Sequence, residues 1–158
     1  ITSLKIKYGV DNMKFSKIKL QMVKERNFDY NSKTITSAQD IVKCINKYEQ
    51  LEKATEEHTI LICLNTKNQI IAYTELAIGG INYCNLDIKS IFKTILLSNS
   101  SKFVLVHNHP SGDTTPSKND IEVTKQILNS SKILNIEFLD HLVIGDNEYQ
   151  SIMKDLKE

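Results

Sequence analysis

The stretch HNHPSGDTTPSKND at residues 107–120 opens with two histidines one residue apart. It contains more residues that could do chemistry than any other part of the sequence. In an extended segment, side chains two positions apart point to the same side. His107 and His109 therefore present two imidazoles to one point just beyond a short apolar strand. The chain then turns, and Asp120 falls on the first turn of the next helix, where its carboxylate can face back toward the histidines.

Two neutral imidazoles and one carboxylate form the three-ligand set of a catalytic zinc site, which leaves a fourth position for water. Closed structural zinc sites usually have four protein ligands, often cysteines. The side chains of His107, His109 and Asp120 therefore predict an open site with one Zn²⁺ per chain.

A zinc-bound water that attacks a substrate needs a nearby base that is not itself a ligand. Glu75 is the candidate, because it interrupts the apolar strand AYTEL, where an acid is costly unless it has a partner. Glu56 and Glu57 are interpreted as ordinary surface charges. His58 is expected at the exposed start of a strand. His141, in the apolar run FLDHLVIG, is expected to be a hydrogen-bonded core residue that could at most support a metal ligand.

Simpler interpretations exist for each of these residues. Ser117-x-x-Asp120 matches a capping box, which alone would explain both residues. An H-x-H pair can be two polar loop residues, and Glu75 can be a surface acid on a half-exposed strand. Capping and metal binding are compatible, because a cap fixes the direction in which Asp120 points.

Elements that could position these residues follow from the apolar periodicity. The sequence predicts a strand at Lys17–Lys24, a helix over AQDIVKCINKY, an antiparallel hairpin over HTILICLNTKNQIIAYTEL, a helix at Asp87–Leu97, a strand at Lys102–Val106, a helix from Ser117 to about Ser131, a strand at Ile136–Ile144 and a short amphipathic end at Ser151–Leu156. This order predicts an α/β fold, a single domain with a mixed β-sheet flanked by helices.

The composition is that of an ordinary globular domain. The chain has 158 residues with 20 basic and 19 acidic side chains, a balance that gives no support to a strongly basic nucleic-acid surface. Its three cysteines, Cys44, Cys63 and Cys84, form no C-x-x-C pair, so a reduced, cytoplasmic setting is expected. No apolar run has the roughly 18 residues of a membrane span, and the first residues, ITSLKIKYGV, do not read as a secretory signal.

The sequence has the residues of the JAMM (JAB/MPN) metalloprotease motif in the order of that motif: Glu75, then His107-x-His109-Pro110, then Ser117-x-x-Asp120. The stretches LNTKNQIIAYTEL, HNHPSGDTTPSKNDIEVTKQI and LDHLVIGDNEYQS resemble the RadC-like branch of that family. The resemblance covers about residues 57–151. It suggests a RadC-like JAB/MPN domain at residues 51–158, with residues 1–50 forming an N-terminal strand and helix that lead into it.

The resemblance implies a cytidine-deaminase-like fold in which His107, His109 and Asp120 hold zinc. It also implies that Glu75 is the general acid/base, that Ser117 stabilises an oxyanion, and that the substrate is a peptide or isopeptide amide in a protein or peptide. One departure concerns residues 88–90, which read Ile-Lys-Ser where RadC-like chains usually have Pro-Arg-Glu. A contact with substrate or partner that depends on that tripeptide is expected to differ.

Three other functions compete with zinc hydrolysis. A DNA-repair or DNA-binding role remains open by resemblance to RadC, although charge and aromatic content give it no support. A zinc nucleobase deaminase would need H-x-E followed by P-C-x-x-C, and the sequence has neither. A non-catalytic module, in which the site only binds metal or stabilises the domain, has the same motif residues and cannot be distinguished by sequence.

Overall fold

The computed structural model of the chain describes residues 16–27, 34–79 and 86–156. Regular elements follow one another in the order α1 (Ala38–Glu49), a 3₁₀ turn (Leu51–Lys53), β1 (His58–Leu64), β2 (Ile70–Ile78), α2 (Ile88–Leu97), β3 (Lys102–Asn108), α3 (Lys118–Leu134), β4 (Glu137–Ile144), β5 (Tyr149–Ser151) and α4 (Ile152–Asp155).

The five strands form one mixed sheet in the order β2-β1-β3-β4-β5. Strands β3 and β4 are parallel, and helix α3 makes the crossover between them, as parallel neighbours require. The other neighbouring pairs are antiparallel. Because β3 is central, its carboxyl end lies between the start of β1 and the end of β4, and the histidine stretch begins there.

A hydrophobic core lies on each face of the sheet. On one face, α1 packs Ile41 and Ile45 against strand residues that include Ile60 and Val106. On the other face, side chains of α2 and α3 pack against strand residues that include Leu61 and Leu105. Successive strand residues alternate between these two cores, so the position of a side chain along β1 or β3 determines the face to which it points.

Helices α1 and α3 begin with the same capping box. Ser37 accepts a hydrogen bond from the Asp40 N–H at 3.2 Å, and Ser117 accepts one from the Asp120 N–H at 3.1 Å. In both, the aspartate carboxylate accepts a bond from the cap residue's own N–H. The capping prediction for Ser117 and Asp120 is therefore confirmed.

The predicted hairpin, the helices and the later strands are confirmed with small changes at their ends. The predicted strand at Lys17–Lys24 is wrong, because residues 16–27 form no regular element and are exposed throughout. Ile18 and Val23 are 78% and 79% exposed. An apolar alternation forms a strand only where a neighbouring strand pairs with it, and no described strand pairs with this segment.

Candidate metal centre

The end of β3 directs three consecutive side chains in different directions. His107 points into the core that contains Leu105, and it is fully buried. Asn108, also buried, points to the other face of the sheet. His109 follows the strand end, where its backbone N–H donates to the Ile144 carbonyl at 2.9 Å. The predicted convergence of the two imidazoles is observed, because the Nε2 atoms of His107 and His109 lie 3.1 Å apart.

His109 is held by the loop that follows it. Its Nδ1 lies 2.6 Å from the Asp113 carbonyl oxygen, which can only accept a hydrogen bond. The Nδ1 atom must therefore carry a proton, and whenever the ring is neutral its lone pair is on Nε2, the atom beside the His107 Nε2. Gly145, after β4, supports this loop closely, since a Cβ there would lie 2.2 Å from the Gly112 carbonyl oxygen.

Asp120 brings the carboxylate that the sequence predicted beside the histidines. Its Oδ2 accepts the Ser117 N–H at 2.7 Å and lies 3.8 Å from the His109 Nε2. Its Oδ1 is buried without a hydrogen-bond partner and lies 3.7 Å from the His107 Nε2. The cap therefore occupies one carboxylate oxygen and leaves the other facing the histidine pair.

The electrostatics of the site favour neutral His107 and ionised Asp120. Burial lowers the pKa of His107 to about 4. Burial would raise the pKa of Asp120, but the nearby imidazoles of His109 and His107 and the hydrogen bonds from Ser117 together hold it well below its usual value. The Asp120 carboxylate, 3.8 Å from the His109 Nε2, raises the pKa of His109.

A second carboxylate lies at the site, and sequence reasoning did not assign it there. Glu57, His107 and His109 each offer one ligand atom, and these atoms all lie within 4.8 Å of one another. Glu57 is one residue before β1, whose start lies beside the end of β3 in the antiparallel register. The sequence alone predicts an ordinary surface charge at Glu57. The sequence feature that could have identified Glu57 is its position at the end of a loop, directly before a buried strand.

The structure does not bring Glu75 to the histidines. Glu75 pairs with Ile60 across the β1–β2 ladder, and Ile60 pairs with Val106. These side chains point to the α1 face of the sheet, whereas His107, one residue after Val106, points to the opposite face. The Glu75 carboxylate instead contacts the Nδ1 of His58 at the partly exposed edge of the sheet. In this structure the partner of Glu75 is therefore His58 and not the histidine pair.

Behind His107 lies a buried chain of polar groups. The His107 Nδ1 is 2.9 Å from the Nε2 of His141, and the His141 Nδ1 is 2.6 Å from the Thr124 hydroxyl. The Thr124 hydroxyl is also 2.6 Å from the Asp120 carbonyl oxygen. Burial lowers the pKa of His141 well below its usual value, so this ring is neutral. The prediction that His141 is a hydrogen-bonded core residue is confirmed, and its partners are His107 and Thr124.

The donor set fits a divalent transition-metal ion such as zinc. The His107 Nε2 lies 3.1 Å from the His109 Nε2 and 3.7 Å from the unpaired Oδ1 of Asp120, and Glu57 offers a carboxylate oxygen within 4.8 Å of a ligand atom on each histidine. A buried carboxylate oxygen without a hydrogen-bond partner is costly, and a bound cation would satisfy it. Imidazole nitrogen and carboxylate oxygen are common zinc ligands. Among the described residues, the free cysteines Cys44 and Cys63 are buried and are not members of this group.

A mixed five-stranded sheet flanked by helices, with two histidines and a helix-capping aspartate at its central strand, defines a domain of the JAB/MPN class. Within this class, the chain belongs to the RadC-like JAB domain family, whose model matches residues 35–157. The family resemblance stated from the sequence motifs is therefore confirmed.

Bacterial relatives agree with this assignment. The chain is 40% identical over 113 residues to a UPF0758 protein of Caldanaerobacter subterraneus, an alignment that covers 72% of this chain and 48% of the relative. It is 42% identical over 104 residues to the UPF0758 protein YsxA of Bacillus subtilis, covering 66% of this chain and 45% of the relative. The aligned part of this chain thus spans about half the length of these relatives. None of the described helices combines the length and apolar character needed to cross a membrane.

Proposed function

We propose that this domain is a zinc-dependent hydrolase of the JAMM type that cleaves a peptide or isopeptide amide bond. His107, His109 and Asp120 would hold the metal. The observation that carries the proposal is the buried Asp120 Oδ1, which has no hydrogen-bond partner and faces the His107 Nε2. When bound, zinc would lower the pKa of a coordinated water toward about 7 and polarise the substrate carbonyl.

Glu57 takes the role of general acid/base in this proposal, instead of Glu75. Its carboxylate is close to both histidines and is only partly buried, so it can exchange protons with solvent and substrate. It would accept a proton from the attacking water and return it to the leaving amine. Glu75 is supported less well, since its carboxylate contacts His58 on the other side of β1.

Ser117 is proposed to stabilise the developing oxyanion. Its oxygen accepts the Asp120 N–H, and this bond leaves the hydroxyl hydrogen free to donate. Ser117 is exposed at the start of α3, three residues before the aspartate ligand. A donor of this kind contributes about 10²–10³-fold to turnover. The same hydroxyl can therefore cap the helix and serve the reaction.

The test compares two matched variants, Glu57→Gln and Glu75→Gln, on zinc-loaded protein. The substrates are a panel of fluorogenic peptides and of lysine isopeptides linked to a Gly-Gly terminus. Glu57→Gln should keep zinc and lose turnover by about 10²–10⁴-fold, the usual contribution of general acid–base catalysis. Glu75→Gln should remain active. Loss of activity in Glu75→Gln alone would overturn the assignment of the acid/base.

A non-catalytic metal-binding module is the second candidate, and one observation favours it. The Glu57 carboxylate is near enough to the histidines to be a ligand itself, which would give four protein ligands and a closed site. In that case Glu57→Gln would lose zinc as well, and the wild-type protein would cleave none of the substrates. The same two variants thus distinguish a base from a ligand.

A further inference from the structure

We propose that Thr124 and His141 are positioning residues that lock His107 in the tautomer with its proton on Nδ1, so that its Nε2 lone pair faces the metal site. The inference rests on the metal-binding part of the proposed function and not on turnover. It concerns a buried chain of three side chains that begins at the His107 Nδ1, whereas His109 lies at the Nε2 of the same ring.

The direction of every hydrogen bond in the chain follows from its last acceptor. The Asp120 carbonyl oxygen has no hydrogen to give, so the 2.6 Å contact requires the Thr124 hydroxyl to donate to it. The hydroxyl has one hydrogen, and it is used there. At its 2.6 Å contact with His141, Thr124 must therefore accept, which puts the proton of that ring on Nδ1.

The same logic continues to the metal ligand. A neutral His141 with its proton on Nδ1 has a lone pair on Nε2, which can only accept. At 2.9 Å the donor must then be the Nδ1–H of His107. His107 is left with a lone pair on Nε2, the atom that lies 3.1 Å from the His109 Nε2 and 3.7 Å from the Asp120 Oδ1. The ring is thus prepared to bind metal before the metal arrives.

The hydrogen bonds that fix the His107 tautomer also involve the residue that supplies the carboxylate ligand, Asp120. Thr124 lies one helical turn after Asp120, and its hydroxyl contacts the backbone carbonyl of that same residue. Metal-binding histidines usually donate to a carboxylate, a carbonyl or water, whereas here the acceptor is a second neutral imidazole. Thr124 and His141 are both fully buried, so water does not compete for these bonds.

The test measures tautomers in the metal-free protein at pH 7 by two-bond ¹H–¹⁵N correlation spectra of ¹⁵N-histidine-labelled samples. Both His107 and His141 should carry their proton on Nδ1. A proton on the Nε2 of either ring would overturn the proposal. This readout requires neither zinc nor substrate, so its failure is separate from a failure of the hydrolase proposal.

Thr124→Val and Thr124→Ser supply the matched variants, since valine keeps the shape and serine keeps the hydroxyl. Thr124→Val should remove the fixed Nδ1–H signal of His141 and weaken zinc binding by about 10- to 100-fold, the usual effect of losing a partner of a metal ligand. Thr124→Ser should preserve both. Unchanged tautomers and an unchanged zinc Kd in a folded Thr124→Val protein would overturn the role of Thr124.

Discussion

The side chain of Asn108 holds the backbone on both sides of Glu57. Its Oδ1 accepts the His58 N–H at 2.8 Å, and its Nδ2 donates to the Glu56 carbonyl at 3.0 Å. Asn108 lies between the two histidines in sequence and points to the opposite face of the sheet from His107. One strand end therefore directs two imidazoles to the candidate metal site and also fixes the segment that carries the proposed acid.

Asn108→Ala should lower turnover by displacing Glu57 while leaving zinc bound, because the histidines and Asp120 are untouched. It should also destabilise the fold by about 1–3 kcal/mol, since the His58 N–H and the Glu56 carbonyl lose their partner. Asn65→Ala is the matched control, because Asn65 also holds backbone, in the turn at the far end of β1. Chemical denaturation, zinc content and amide hydrolysis would be compared; equal turnover in the two variants contradicts the prediction.

A comparison of Ser117→Ala with Ser37→Ala distinguishes the helix-capping role of Ser117 from its proposed role in turnover. Both serines accept the N–H of the aspartate three residues later, so each change should cost about 0.5–2 kcal/mol of stability. Zinc should remain in both variants, because the Ser117 backbone N–H still donates to Asp120. Only Ser117→Ala should lose turnover, by about 10²–10³-fold.

The control for this pair is the free energy of unfolding, measured by urea denaturation beside the hydrolysis assay. A Ser117→Ala protein that is as active as Ser37→Ala, with the same zinc content, would show that Ser117 is a helix cap and nothing more.

Gly145→Ala should weaken zinc binding, although Gly145 is not one of the proposed ligands. The added Cβ would meet the Gly112 carbonyl oxygen at 2.2 Å, so the loop that presents the Asp113 carbonyl to His109 must move. Crowding of this kind typically costs about 1–3 kcal/mol. We expect a lower melting temperature and weaker zinc binding, measured by thermal denaturation and by competition with a chromophoric chelator.

Asn135→Ala is the control for that experiment. Asn135 ends α3 in the left-handed conformation at φ 53°, at the opposite end of the helix from Asp120. Its replacement should lower the melting temperature without changing the zinc Kd. A Gly145→Ala protein with unchanged zinc affinity would contradict the proposed support of the His109 loop.

Asp40 should make part of the stability depend on pH, independently of the metal site. Hydrogen bonds from the Thr36 backbone and hydroxyl, with those from Ser37, lower the pKa of this carboxyl in the folded state. A lowered folded pKa gives stability that is present above the unfolded pKa, about 3.9, and is lost as pH falls through the folded value. Wild type should therefore melt above Asp40→Asn at pH 7, and the difference should shrink as pH falls below about 3.9 toward the lower folded pKa. A constant difference down to pH 2.5 would contradict this.

Much of the fold and the histidine centre could be predicted from the sequence because their determinants are local. The H-x-H spacing and the Ser-x-x-Asp cap lie within one strand end and one helix start. The acid could not be chosen this way, because Glu57 precedes β1 and Glu75 lies within β2, and the distance of each from His107 depends on how β1 pairs with its neighbours. The strand predicted at Lys17–Lys24 failed for a related reason, since pairing is a tertiary property that alternation alone does not supply.

The most direct test of the metal centre is the metal content of the purified protein by elemental mass spectrometry, with His109→Ala and His58→Ala as a matched pair. His58 contacts Glu75 and not the histidine pair, so its loss should leave the site intact. We predict about one zinc per chain in wild type and in His58→Ala, and none in His109→Ala. A wild-type protein that cannot be loaded with zinc, or a His109→Ala protein that keeps it, would contradict the account.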